Sequence, residues 1–292
     1  MQNKLKGTGV AIITPFLPNG NIDFNGLENL VERLITQGIN YIVVLGTTGE
    51  TATLTSQEKK EVINCIKSKN AGRVPLVIGI GGNNTAELTH QLENFDYDGF
   101  TAVLSVSPYY NKPSQQGIIQ HYTMLAKASA LPIILYNVPG RTGSNLTAQT
   151  TLHLAHEVPN ICGIKEASGN LEQMMQIIKN KPDDFMLISG DDNLTLPIIA
   201  AGGWGVISVT ANAFTKDYSQ MVNLCLQGNF ETARPLHYKL TGITDLLFAD
   251  GNPGGVKAAL KILGVCGDTV RLPLANVNEN VFAQLQLAIA NL

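Results

Sequence analysis

The chain has 292 residues, which is enough for one large α/β barrel of about 250 residues or for two smaller domains. Apolar residues make up 44% of the chain and charged residues 15%, which excludes a disordered or collagen-like protein. The net charge is -3 with no block of lysine or arginine, so we expect neither nucleic acid nor a membrane as a partner. Four scattered cysteines without a C-x-x-C pair are typical of a reduced, cytoplasmic protein.

Short apolar runs rich in β-formers recur along the chain and predict strands. They are continuous rather than alternating, as expected of parallel strands covered on both faces. Helical patterns lie between them, and Thr55 with Glu58 predicts a capping box at the start of the second helix. This alternation favours a closed (β/α)8 TIM barrel over an open doubly wound sheet. The eight predicted strands are residues 10–13, 41–45, 76–80, 101–106, 133–136, 161–165, 185–188 and 206–209.

The strand signal ends after residue 209, and helical patterns follow at 218–226, 230–247, 253–263 and 279–290. We interpret residues 1–224 as the barrel and residues 225–292 as a C-terminal helical extension.

Polar motifs follow the predicted strands, at the end of a parallel barrel where active sites lie. They are Gly-Thr-Thr-Gly-Glu at 46–50, Ser-Pro-Tyr-Tyr at 107–110, Tyr-Asn-Val-Pro-Gly-Arg-Thr-Gly at 136–143 and Gly-Ile-Lys-Glu-Ala at 163–167. Together they predict an amine, phenols, two hydroxyls and a guanidinium at one barrel mouth.

Lys165 ends the sixth predicted strand. With strict alternation, Ile161, Gly163 and Lys165 share one face, and small Gly163 leaves room beside the amine. If that face lines the barrel, loss of water favours the neutral, nucleophilic amine. The alternative is a solvated lysine at the end of a strand, close to Glu166.

These residue types suit imine chemistry on a 2-oxo acid. Thr47 and Thr48, with the backbone N–H groups of a glycine turn, can hold a small carboxylate. Lys165 can attack the neighbouring carbonyl, and the protonated imine then acidifies the adjacent methyl group. Tyr136 and Tyr110, with Thr48, can relay the protons that follow.

Three further side chains suggest additional chemistry. Arg141 remains for a second carboxylate, which a guanidinium can bind in bidentate fashion. Asp191 and Asp192 could suggest a metal, but we expect them to cap the helix that begins near Leu194. No histidine set has the spacing of a metal motif, so we predict no metal site.

In their order and spacing, these motifs resemble the family of dihydrodipicolinate synthases, also called 4-hydroxy-tetrahydrodipicolinate synthases. This is a family of class I pyruvate-dependent aldolases in lysine and diaminopimelate biosynthesis, and the resemblance runs nearly from end to end. It implies that Lys165 forms a Schiff base with pyruvate and that Tyr136 donates and accepts protons. It also implies that Tyr110 reaches into a neighbouring subunit, where it joins Thr48 in the relay.

The resemblance further implies how the two substrates bind. Pyruvate would contact Thr47, Thr48 and Ile207, with Gly190 close by, and Arg141 would bind the carboxylate of (S)-aspartate 4-semialdehyde. No metal or organic cofactor would be required. Homotetramers built as dimers of dimers are usual in the family.

The family's feedback site for lysine is a last implication. Bacterial members that lysine inhibits often have histidine where Ser56 and Lys59 stand here, and a cationic Lys59 would repel the inhibitor's ammonium. We therefore predict weak or absent inhibition by lysine. The site would consist of Thr51, Ala52, Ser56, Lys59, Asn83, Glu87 and Tyr109.

Two rival functions stay open at this point. N-acetylneuraminate lyases and 2-keto-3-deoxy sugar acid aldolases share the lysine and the tyrosine, but a sugar aldehyde calls for hydroxyl partners rather than Arg141 and Thr48. A non-catalytic protein that binds 2-oxo acids is the alternative of another class, since a sequence does not establish that the amine reacts.

Overall fold

Eight parallel strands close into a barrel in the computed structural model, which describes residues 2–292. Each strand pairs with the next along the chain, and β8 pairs with β1 to close the barrel. This confirms the predicted TIM barrel. The strands are β1 Gly7–Ala11, β2 Tyr41–Val44, β3 Leu76–Gly79, β4 Phe100–Val106, β5 Ile133–Asn137, β6 Ile161–Glu166, β7 Met186–Ser189 and β8 Gly205–Ser208.

Helices cover the outside of the barrel and continue beyond its last strand. They are α1 Phe24–Thr36, α2 Ser56–Asn70, α3 Thr85–Glu93, α4 Gln115–Ala128, α5 Pro139–Thr142, α6 Ala148–Glu157, α7 Leu171–Asn180, α8 Thr195–Ala200, α9 Thr215–Leu226, α10 Phe230–Phe248, α11 Gly254–Ile262 and α12 Glu279–Ala290. The Thr55–Glu58 capping box of α2 is present as predicted. The short α5 was not predicted, because four residues are too few to establish a helical period.

The barrel has two apolar cores, one on each side of its wall. The interior core includes Val43, Val77 and Ile134, whereas the core between the strands and the helices includes Leu27 and Leu34. Because both faces of every strand are covered, the strands read in the sequence as unbroken apolar runs.

One predicted side-chain direction is wrong. Ile161 lies in the outer core and Cys162 in the interior core, so Ile161 does not share a face with Lys165. The register between β5 and β6 shifts at this point, between Ile133 and Ile134, and this irregularity changes the alternation. From Gly163 onward the regular pairing resumes.

Three C-terminal helices, α10 to α12, pack on one another after the barrel closes, and α10 also packs on α9. The interpretation that divides the chain at residues 224 and 225 cuts α9 two residues before its end at Leu226. Among residues 2–292 there is no helix whose length and apolar character would let it cross a membrane.

Candidate active site

Lys165 and Tyr136 are paired neighbours on β6 and β5, so their side chains leave the barrel wall in the same direction. Lys165 is 5% exposed and Tyr136 is 7% exposed. The Lys165 Nζ lies 4.3 Å from the centroid of the Tyr136 ring. The amine therefore lies inside the carboxyl-terminal mouth against the phenol, and the alternative of a solvated lysine is excluded.

Gly190, which directly follows β7, makes room for the lysine side chain. A Cβ atom at Gly190 would lie 3.0 Å from the Lys165 Cε and 2.8 Å from the Ala167 Cβ. The role predicted for Gly163 is different in the structure. A Cβ there would lie 2.7 Å from the backbone oxygen of Met186, so Gly163 accommodates β7 rather than the amine.

The turn after β2 presents two threonines that differ in exposure. Thr47–Gly49 forms one 3-10 turn, in which Thr48 is buried at 2% exposure and Thr47 is exposed. The turn lies close to the chain that follows β1, because a Cβ at Gly49 would come within 3.1 Å of the Ile12 carbonyl oxygen.

A hydrogen bond joins Thr48 to a part of the chain that sequence reasoning did not connect with the site. The Asn252 Nδ2 donates to the Thr48 Oγ1 at 3.0 Å, and Asn252 itself is only 8% exposed. Asn252 lies between α10 and α11. No local signal pointed to it, since the two residues are 204 positions apart.

Glu50 continues the turn and bonds to the same C-terminal region. Its backbone is left-handed, with φ 53°, and its carboxylate accepts hydrogen bonds from the Lys257 Nζ and, at 3.0 Å, from the Arg271 backbone N–H. Lys257 also donates to the Thr269 carbonyl oxygen at 2.9 Å. Burial lowers the pKa of Lys257, and the Glu50 carboxylate opposes that shift.

Ile207 lies on β8 and is 1% exposed. Its side chain belongs to the interior core, so it lies on the same side of the barrel wall as the Lys165 side chain. Arg141 lies in α5, directly beyond β5, and is exposed. Its backbone N–H donates to the Val138 carbonyl oxygen at 2.9 Å, which fixes the start of the side chain beside the mouth.

Tyr109 and Tyr110 face solvent on the loop that follows β4. Tyr110 is 88% exposed with φ 69°, and Tyr109 is 40% exposed. A left-handed backbone is costly for a residue with a Cβ atom and is maintained by its surroundings. The Asn111 N–H donates to the Tyr109 carbonyl oxygen at 2.8 Å, and the Asn83 amide donates to the same oxygen at 3.4 Å.

Acidic residues near the mouth have structural partners. Glu166 is fully buried and accepts hydrogen bonds from Asn137 at 3.1 Å and Gln173 at 2.9 Å, and burial raises the pKa of its carboxyl. Asp191 accepts from the Asn193 N–H at 3.1 Å, which confirms its predicted capping role. The capping prediction is wrong for Asp192, whose carboxylate instead accepts hydrogen bonds from the turn that follows β8.

The buried Asp192 Oδ2 accepts three hydrogen bonds from the turn after β8. The N–H of Val209 donates at 3.1 Å, and the N–H and hydroxyl of Thr210 donate at 3.0 and 2.9 Å. Within residues 2–292, no three His, Cys, Asp or Glu side chains are grouped so that they could hold a metal ion.

The seven residues of the candidate lysine site gather around the same end of the barrel. Thr51 begins the 3-10 turn Thr51–Thr53, which follows the turn Thr47–Gly49. Ser56 and Lys59 lie in the first two turns of α2, and Glu87 lies in the first turn of α3. All seven are exposed or half-buried.

Comparisons with known proteins agree with this architecture. Residues 4–292 match the Dihydrodipicolinate synthetase family. A 4-hydroxy-tetrahydrodipicolinate synthase of Flavobacterium psychrophilum is 53% identical over 281 residues, which is 96% of each chain.

Two solved structures show the same fold. A chloride-inhibited dihydrodipicolinate synthase of Acinetobacter baumannii, complexed with pyruvate, is 40% identical and superposes with a TM-score of 0.95 over 98% of each chain. A monomeric dihydrodipicolinate synthase variant is 36% identical, with a TM-score of 0.95 over 99% of this chain and 97% of the other.

These similarities confirm three predictions: the family, the class of enzyme, which is a lyase, and 4-hydroxy-tetrahydrodipicolinate synthase activity. With nearly its whole length matched, the chain belongs to the dihydrodipicolinate synthetase family.

Proposed function

We propose that this enzyme condenses pyruvate with (S)-aspartate 4-semialdehyde through a Schiff base on Lys165, in lysine and diaminopimelate biosynthesis. The observation that carries the proposal is the buried Lys165 Nζ, 4.3 Å from the centroid of the Tyr136 ring at the mouth of the barrel. A primary amine in that place can reach a small ligand in the mouth, while most bulk water is excluded.

The reaction begins with addition of the lysine to pyruvate. The Lys165 nitrogen adds to the C2 carbonyl of pyruvate, and loss of water leaves a protonated imine. This imine withdraws electrons from the neighbouring methyl group, which loses a proton to give an enamine. The enamine carbon attacks the aldehyde carbon, and the amine of the second substrate then displaces Lys165 as the ring closes. Because the imine is the electron sink, the chemistry needs no metal or organic cofactor.

Pyruvate is held at the glycine turn beside the lysine. The Thr48 hydroxyl and the exposed Thr47 provide polar groups for its carboxylate, and the small Gly190 with the buried Ile207 borders the remaining space. Tyr136 exchanges protons with the reacting atoms, which is supported by its contact with the amine.

Arg141 binds the carboxylate of (S)-aspartate 4-semialdehyde. Its place directly after β5 and its exposed side chain support this role, because a guanidinium matches a carboxylate in bidentate fashion. The same charge disfavours the uncharged, polyhydroxylated aldehydes of sugar acid aldolases and N-acetylneuraminate lyases.

Tyr110 completes the proton relay of a neighbouring subunit, within a homotetramer of two tight dimers. This role is supported by the exposure of the Tyr110 ring, which is 88% exposed on a left-handed backbone. A partner subunit that covered the ring would bury its apolar surface. Since one relative is a monomeric variant, the assembly requires its own measurement by sedimentation velocity.

Lysine inhibits this enzyme weakly or not at all, because Lys59 carries a charge of the same sign as the inhibitor's ammonium. Turnover measured against added lysine tests this, and half-inhibition well below millimolar lysine would contradict it. The four free cysteines support a cytoplasmic location.

Borohydride reduction with pyruvate, followed by peptide mass mapping, tests the central proposal. We expect a stable pyruvate adduct on Lys165, and we expect turnover with aspartate semialdehyde but no cleavage of sialic acid. An unmodified Lys165 under these conditions would instead indicate a binding protein without covalent chemistry.

A further inference from the structure

The turn that carries Thr48 is attached to the C-terminal helices at two points. Asn252 donates to the Thr48 hydroxyl at 3.0 Å, and Glu50, two residues after Thr48, pairs with Lys257, five residues after Asn252. Thr48 and Glu50 belong to the loop after β2, whereas Asn252 and Lys257 flank the start of α11. The C-terminal helices therefore contribute directly to the shape of the barrel mouth.

The direction of the Asn252–Thr48 hydrogen bond has a chemical consequence. A threonine hydroxyl has one hydrogen and two lone pairs, whereas the amide nitrogen of asparagine only donates. Since Asn252 Nδ2 occupies one lone pair of the Thr48 Oγ1, the hydrogen of Thr48 points to a different partner. Asn252 thus makes Thr48 a donor towards the rest of the site.

The orientation of the Asn252 amide follows from its surroundings. Its Oδ1 atom is buried and has no hydrogen-bond partner among the described residues. If the amide were reversed, its oxygen would accept the hydrogen of Thr48, and both of its N–H donors would occupy the buried position without acceptors. The orientation in the structure, with the nitrogen towards Thr48, keeps one of these donors hydrogen-bonded.

We propose that Asn252 is a positioning residue for the condensation: its side-chain N–H fixes the polarity of the Thr48 hydroxyl, which then donates its hydrogen within the proton relay. This inference rests on the proposed role of Thr48 beside Tyr136. The Glu50–Lys257 ion pair supports it, because it holds the two segments in register and leaves the amide little freedom to move away.

Asn252→Asp is the sharpest test, because it replaces the donor by an acceptor of almost the same size. An ionised aspartate accepts from Thr48 and reverses the hydroxyl. We expect kcat to fall at least about 10-fold at pH 8, less than the roughly 100- to 10,000-fold that a whole general acid–base step contributes, because Thr48 itself is retained. We expect the KM for aspartate semialdehyde to change less than about 3-fold, because its proposed partner Arg141 is unaffected.

The pH profile separates positioning from a structural role. At low pH the introduced carboxyl becomes protonated and can donate again, so kcat of Asn252→Asp relative to the wild type should rise as pH falls. We also expect Asn252→Ala, which leaves the hydroxyl free to turn, to be faster than Asn252→Asp at pH 8. A structural role predicts the opposite order, because alanine leaves a cavity. It also predicts that the kcat of Asn252→Asp relative to the wild type does not vary with pH.

Folding and charge need matched controls. Asn94→Asp, at the exposed end of α3, adds the same charge far from the site and should retain wild-type turnover. Circular dichroism and borohydride trapping of pyruvate verify that Asn252→Asp is folded and keeps a reactive Lys165. If the wild type traps pyruvate and Asn252→Asp turns over like the wild type at every pH, the inference about Asn252 is wrong while the Schiff base stands. If the wild type itself traps no pyruvate, the proposed function fails first.

Discussion

Lys257 and Glu50 form an ion pair in which both side chains are completely buried, and it links helix α11 to the turn that carries Thr48. The Lys257 Nζ also lies 4.2 Å from the centroid of the Phe16 ring. The two opposite charges compensate for each other in this buried environment, whereas removal of one leaves the other buried without its partner.

Lys257→Met should therefore destabilise the protein strongly, since it leaves the Glu50 carboxylate buried without its cation. We expect a loss of about 3 to 5 kcal/mol in the free energy of unfolding, measured by urea denaturation. The double variant Glu50→Gln with Lys257→Met should recover part of the loss. As a control, Lys239→Met breaks the partly exposed pair with Asp217 and should cost less than about 1 kcal/mol. Equal losses for the two single variants would contradict this account.

Gly190→Ala should displace the reactive amine. The added Cβ would lie 2.8 Å from the Ala167 Cβ and 3.0 Å from the Lys165 Cε, so the segment after β6 and the lysine side chain have to shift. We expect kcat to fall roughly 10-fold, because the shift that the contacts require is smaller than the displacement of about 1 Å that can cost about 100-fold. Gly242→Ala on α10 is the matched control, because a Cβ there meets nothing within 4 Å, and its turnover should stay at the wild-type level. Normal turnover of Gly190→Ala would show that the lysine has more room than its contacts indicate.

Tyr110 can be tested for action across a subunit boundary by complementation. Lys165→Ala removes the proposed nucleophile, and Tyr110→Phe removes the phenolic proton from the side chain that faces solvent. Each variant alone should be nearly inactive. In a mixed dimer, the subunit that keeps Lys165 would receive Tyr110 from its partner and regain a complete site.

Co-expression with two affinity tags provides the mixed dimers. Random pairing makes half of the dimers mixed, with one complete site in two, so about a quarter of the wild-type activity should return in a symmetric assembly. No recovery in purified mixed dimers, or full activity of Tyr110→Phe alone, would contradict a role for this phenol in the partner's site.

Arg141→Ala should affect the second substrate rather than the first. Loss of a bidentate pair with a carboxylate should lower kcat/KM for aspartate semialdehyde roughly 100-fold, while borohydride trapping of pyruvate on Lys165 stays unchanged. Arg141→Lys should recover only part of the loss, because an ammonium lacks the planar fork. Reduced pyruvate trapping in Arg141→Ala would show that the guanidinium acts on the first substrate instead.

His121 should make stability sensitive to mild acid. It is buried on α4 with its Nδ1 2.8 Å from the Thr85 hydroxyl, and burial lowers the pKa of its imidazole from 6.5 to about 4. Its stabilising contribution is present above pH 6.5, where both states are neutral, and is lost as pH falls towards 4, because the unfolded chain takes up the proton first.

The resulting loss in the free energy of unfolding amounts to about 3 kcal/mol at pH 4. His121→Gln should remove this part of the pH dependence in urea unfolding measured between pH 7 and pH 4.5. His90→Gln, an exposed site on α3, serves as the control and should leave the slope unchanged. If His121→Gln and the wild type lose stability in parallel, another group governs the acid response.

Much of the fold could be predicted because its signals are local. All eight strand runs and the capping box of Thr55 and Glu58 follow from neighbouring residues. The first strand spans Gly7–Ala11 rather than residues 10–13, and its first three residues, Gly-Thr-Gly, carry no apolar signal. The alternation failed at Ile161 and Cys162, where a register shift depends on the neighbouring strand. The role of Gly163 was misjudged for the same reason, since its close neighbour Met186 comes from β7.

The sequence by itself determined which residue types stand at the ends of the barrel strands, because the periods of strands and helices depend on neighbouring residues. This identified the lysine, the tyrosine and the glycine turn. Only the tertiary structure decided which distant groups complete the site. Asn252 is joined to Thr48 across 204 positions and Lys257 to Glu50 across 207. An amide or an ammonium carries no local mark of its partner, and only closure of the barrel with the C-terminal helices packed against it brings these polar groups within hydrogen-bond distance.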